Sequence, residues 1–115
     1  MKASPIGLIG ELFESFGSPV RIQILLAIGE SETCVCHLEN TLGLRQAYIS
    51  QQLMDLREKG VIASRREGKF VYHRLEKPEY LELIRVAARA MDIPVDGLAP
   101  KGQSVCYCPK CKQQG

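Results

Sequence analysis

The chain has no tryptophan, and only 6% of its 115 residues are aromatic. With 45% hydrophobic residues it still holds enough apolar surface for one small core. No apolar run approaches the roughly 18 residues that span a membrane. Glu11 and Glu14 interrupt the N-terminal stretch where a signal peptide needs an unbroken apolar segment. The expectation is a cytoplasmic protein with no membrane partner. No internal repeat is visible. No His and acid stand near a Cys in the manner of a nucleophilic enzyme, so no catalytic residue is expected. The five cysteines are an odd number, which with a reducing compartment argues against a disulfide framework.

What is present is unevenly distributed. Residues 1–44 are net acidic. In residues 45–74, Arg45, Arg57, Lys59, Arg65, Arg66, Lys69 and Arg74 outnumber Asp55, Glu58 and Glu67. Such a stretch is either a solvated face or a nucleic-acid footprint, and local structure must decide. Three of the five cysteines, Cys106, Cys108 and Cys111, crowd the C-terminus, and Cys34 and Cys36 stand alone near the middle.

The periodicity predicts mainly helices with one small hairpin. Ile9, Leu12, Phe13 and Phe16 follow the i, i+3, i+4, i+7 spacing of an amphipathic helix that stops at Gly17. "SPVRIQILLAIG" reads as a second helix, with Ser18 as N-cap and Pro19 in the first helical position. Thr33 is expected to cap a third helix that runs to about Leu42. A fourth helix spans about Gln46 to Lys59, with Ile49, Leu53 and Leu56 facing inward. The Gly43–Arg45 turn alone joins these two, which is the layout of a helix-turn-helix. "VIASRREGKFVYHRL" has two strand-like runs, Val61–Arg65 and Phe70–Leu75, around a turn with Gly68. A last helix spans about Glu79 to Met91, with wider apolar coverage than a small monomer needs. Residues 1–91 then form one domain, residues 92–105 a linker and residues 106–115 a Cys-rich tail.

Five helices with a two-stranded wing make a winged helix-turn-helix, expected to be dimeric. The stretch "LGLRQAYISQQLMDLREKGVIASRREGKFVYHRL" resembles the turn, recognition helix and wing of the ArsR/SmtB metal-sensing repressors. "TCVCHLEN" is similar to that family's Cys-x-Cys metal motif. The resemblance covers roughly residues 6–91. It implies a homodimeric repressor on a double-stranded DNA operator, an imperfect inverted repeat, released when thiolates bind a soft ion.

A recognition helix reads base edges with outward residues near its N-terminus. Here those are Arg45, Gln46, Tyr48, Ser50, Gln51 and Gln52, where Gln suits adenine and Arg suits guanine. Arg65, Arg66 and Lys69 on the wing suit phosphate or minor-groove contact. Arg74 fits either packing or DNA. His73 reads as a surface or partly packed strand residue.

Cys34 and Cys36 are candidate metal ligands. Residues i and i+2 diverge on a helix, so both reach one ion only if the helix begins between or near them. A helix N-terminus also favours the thiolate; the competing reading is a small buried apolar residue. Two thiolates do not complete a site. Arsenic sensors of the family carry a further Cys three residues on, where this chain has Glu39. The family's last-helix site needs His, which residues 79–91 lack. Cys106, Cys108 and Cys111, which include the knuckle-like "CPKC", are therefore the expected additional ligands, with His37 a minor candidate. The effector expected is arsenite first, then cadmium, lead or zinc. The alternative is a thiol redox sensor on the same scaffold.

Overall fold

Ser4 opens the first helix by accepting a hydrogen bond from the Gly7 amide at 3.0 Å. The computed structural model describes residues 4–94 and residue 98. The chain runs α1 (Pro5–Ser15), α2 (Pro19–Ile28), β1 (Thr33–Cys34), α3 (Val35–Leu42), α4 (Gln46–Glu58), β2 (Ile62–Glu67), β3 (Phe70–Leu75) and α5 (Glu79–Ala90). Pro5 and Pro19 begin their helices, where a missing N–H leaves no bond unmade. Gly43 caps α3 at φ 68°, a left-handed conformation that a side chain would strain. That cap turns the chain straight into α4.

The core gathers on α2 and α4. Ile24, Leu25 and Ile28 meet Leu38, Ile49, Leu56, Val61 and Ile62, all buried. Ile84 of α5 closes one side, and Phe16 packs edge-on against Tyr80 with ring centroids 5.9 Å apart. Arg21 of α2 donates to Gln52 at 2.9 Å and to Asp55 at 3.1 Å, so α4 is also tied to α2 by polar contacts. Ile6, Leu8, Ile9 and Phe13 of α1, with Val86, Met91 and Ile93 in and after α5, remain exposed. No helix among the described residues is long and apolar enough to cross a membrane.

The wing differs from the expected hairpin in one respect. It is a three-stranded antiparallel sheet in the order β1-β3-β2. Thr33 pairs with His73, and Cys34 with Tyr72. Thr33 is thus a strand residue, and the N-cap position falls to Cys34, whose backbone is extended at φ −96° and ψ 166°. His73 is buried too, more deeply than the surface or partly packed placement expected for it: its neighbours Thr33 and Ser64 are in register on both sides. The linker and tail assignments fall almost wholly outside the described residues.

Candidate nucleic-acid interface and cysteine pair

Ile49, Leu53 and Leu56 bury one face of α4 and so set which face points out. Gln46, Tyr48 and Gln51 are exposed, with Arg45 just before the helix; Ser50 and Gln52 are half-buried at its edges. Gln52 accepts the Arg21 hydrogen bond, so its carbonyl serves the helix packing. Gln51 donates to Asp55 one turn on, at 3.4 Å. The outward stripe also includes Ala47 and Met54, at i−4 and i+3 from Gln51 and both exposed. Ala47 was not singled out from the sequence because it carries no charge or amide, although its spacing from Gln51 places it.

The wing continues this surface. Arg66 and Lys69 are exposed and form no ion pair among the described residues; Lys69 Nζ lies 5.6 Å over the Phe70 ring. Arg57 of α4 donates to Ser64 of β2 at 3.3 Å and so fastens wing to helix. Arg74 is exposed. Arg65 is placed differently. Its Nε and Nη2 donate to the two oxygens of Glu32 at 2.6 and 2.8 Å, and its Nη1 reaches Glu67 at 3.1 Å. Glu32 first and Glu67 second raise its pKa above the ordinary arginine value.

Cys34 and Cys36 come together because β1 ends and α3 begins between them. Cys34 is buried and Cys36 half-buried, and their sulfurs are 2.8 Å apart. Cys34 and Tyr72 form one buried cluster, with Cys36 and Phe70 packed against it. Two thiolates on a tetrahedral ion at about 2.3 Å each lie about 3.8 Å apart, so this pair must open by about 1 Å to hold one. The donor set fits a soft ion in kind, but among the described residues no third Cys, His or carboxylate completes a cluster. His37 is near Thr41 at 3.4 Å, and burial pushes its pKa below the ordinary value. Glu39 is half-buried on the next turn. Cys106, Cys108 and Cys111 lie outside the described residues.

The sequence pattern described as "Bacterial regulatory protein, arsR family" matches residues 18–64, from the α2 cap into β2. An uncharacterized HTH-type transcriptional regulator of Mycobacterium tuberculosis is 34% identical over 93 residues, 79% of this chain and 82% of that protein. Its crystal structure superposes at a TM-score of 0.69, covering 78% of this chain and 92% of that one. The chain belongs to the ArsR/SmtB family.

Membership makes this a DNA-binding transcriptional repressor, not an enzyme. The arsenic resistance transcriptional regulator ArsR1 of Pseudomonas putida is 39% identical over 74 residues, 62% of this chain. The match spans 58% of ArsR1, so the response in its name stays with that protein. A homodimeric winged helix-turn-helix domain of Mycobacterium bovis, a possible ArsR-family regulator, is 26% identical with a TM-score of 0.67, covering 79% of this chain and 84% of that one. The ArsR/SmtB fold puts α4 and the wing on one surface, next to the cysteine pair.

Proposed function

We propose that this ArsR/SmtB protein is a homodimeric repressor that leaves its operator when Cys34 and Cys36 take up a soft metal or metalloid ion. Arsenite ranks first, then cadmium, lead or zinc. The observation that carries the reading is the position of Cys34. It ends a strand of the wing sheet and starts the helix that leads into α4. Parting the two sulfurs therefore loads both DNA-reading elements at once. Arg45, Gln46, Tyr48, Ser50, Gln51 and Gln52 read the operator, with Arg66 and Lys69 on its phosphates. The exposed apolar residues of α1 and α5 supply the dimer contact. Cys106, Cys108 and Cys111 supply the remaining sulfurs.

The test titrates reduced, ion-free protein with As(III), Cd(II), Pb(II) and Zn(II). Sulfur-to-metal absorption and operator release are followed together. Thiolate binding without operator release would overturn the regulatory reading.

A second reading, redox sensing, is favoured by the 2.8 Å separation of the Cys34 and Cys36 sulfurs, which brings two thiols next to each other. In that case mild oxidant alone releases the operator, with loss of titratable thiol, and metal ions in reductant do not.

A further inference from the structure

Arg65 lies in the basic stretch, but its surroundings are those of a packing residue. Three of its guanidinium nitrogens already donate to carboxylate oxygens, two of them to Glu32 in the parallel geometry that gives such pairs their strength. Glu32 belongs to the loop before β1, so this pair joins the α2–β1 connection to β2. The Glu32 side chain is 18% exposed and that of Arg65 47%, so the carboxylate is the sheltered partner. The guanidinium sits 5.0 Å over the ring of Tyr72, itself buried. Two carboxylates around one cation leave that spot with no net positive charge to offer a phosphate. Arg66 and Lys69, on the same wing, have no such compensation among the described residues.

We propose that Arg65 is a positioning residue of the wing rather than a phosphate ligand: the Glu32–Arg65 pair is a strut that holds Arg66 and Lys69 at the DNA. The register adds to this. Cys34, Tyr72 and Arg65 form one row across β1, β3 and β2, with side chains on the same face. The strut thus stands on the ring that shares a buried cluster with Cys34.

The inference rests on the DNA-binding reading but not on ion sensing, so its test uses reduced, ion-free full-length protein. Operator affinity is measured over a range of KCl concentrations for Arg65→Lys, Arg65→Gln, Glu32→Gln, Lys69→Gln and Gln51→Ala. Melting curves are recorded for each. Arg65→Lys keeps the charge but loses the two-pronged contact. Glu32→Gln adds one unit of positive charge, which by electrostatics alone would tighten binding. As a strut, either change instead weakens operator binding, by roughly fivefold, the upper range for such a pair. The melting temperature holds, which separates positioning from a merely structural role. Arg65→Gln weakens binding by about the same factor as Glu32→Gln, since each breaks the pair, whereas Lys69→Gln lowers the salt slope by about one. Tighter binding by Glu32→Gln or wild-type binding by Arg65→Lys overturns the strut. If Gln51→Ala and Lys69→Gln also bind like wild type, the DNA surface itself is wrong and the strut falls with it.

Discussion

His73 is buried, and neither ring nitrogen has a hydrogen-bond partner among the described residues. Burial first, and the nearby Arg57 charge second, hold its pKa below the ordinary 6.5. The folded protein therefore keeps the ring neutral where the unfolded chain would protonate it. The stability tied to that difference is fully present above pH 6.5 and is lost as pH falls below it. An unsatisfied buried polar group costs roughly 1–3 kcal/mol, which an apolar replacement of similar size removes. His73→Leu should melt at or above the wild-type temperature at neutral pH, and its melting should decline less between pH 6.5 and pH 5. Thermal melts across that range check this; parallel pH profiles would show that another group governs the acid response. Its strand was legible but its full burial was not, because a lone His in a strand gives no sign of which face it takes. That face is set by Thr33, forty positions away in the chain and opposite it in the sheet.

At the scale of elements, the helices were legible because their signals are local. Pro19, Gly43 and the apolar spacing of Ile49, Leu53 and Leu56 each act within a turn or two, and α3 and α4 fall within a residue or two of the expected bounds. The two-residue strand β1 was not legible. It has no periodicity of its own and exists only because β3 offers a free edge to Thr33 and Cys34. The outward face of α4 was legible, and Gln46, Tyr48 and Gln51 are exposed on it. The Glu32–Arg65 pair was not, since it joins residues 33 apart with no shared motif. The recognition helix gives the prediction at this scale. Gln51→Ala should weaken binding to the cognate operator by about 1–3 kcal/mol and leave random DNA nearly unchanged, whereas Lys69→Ala should weaken both. Equal loss of cognate and random binding in Gln51→Ala would mean that α4 contacts only the backbone.

For the whole molecule, the argument turns on what one subunit leaves uncovered. Ile6 is 84% exposed and Phe13 58%, both on α1, while α5 and the residues after it leave Val86, Met91 and Ile93 open. A symmetric partner covering both helices would set two α4 helices about 34 Å apart, one turn of DNA. Phe13→Glu should then shift the protein towards monomer in sedimentation and cut operator affinity with it. An unchanged dimer would place the interface elsewhere. Ion release must pass through this same assembly. If an ion weakens operator binding, operator must weaken ion binding by the same factor, a coupling of typically about 1–3 kcal/mol. Cys34→Ser and Cys36→Ser should each keep the operator affinity of the reduced, ion-free protein and abolish ion-induced release. Removal of residues 104–115 tests the rest of the ligand set. With two sulfurs in place and no third ligand in the described cluster, the shortened chain should bind the ion more weakly and still bind operator as the full chain does. Titration of both forms with As(III) and Cd(II), read by sulfur-to-metal absorption, decides it. Equal ion affinity in the shortened chain would take Cys106, Cys108 and Cys111 out of the site. Glu39, His37 or water would then have to complete it, and Glu39→Ala and His37→Ala would be the variants to lose affinity.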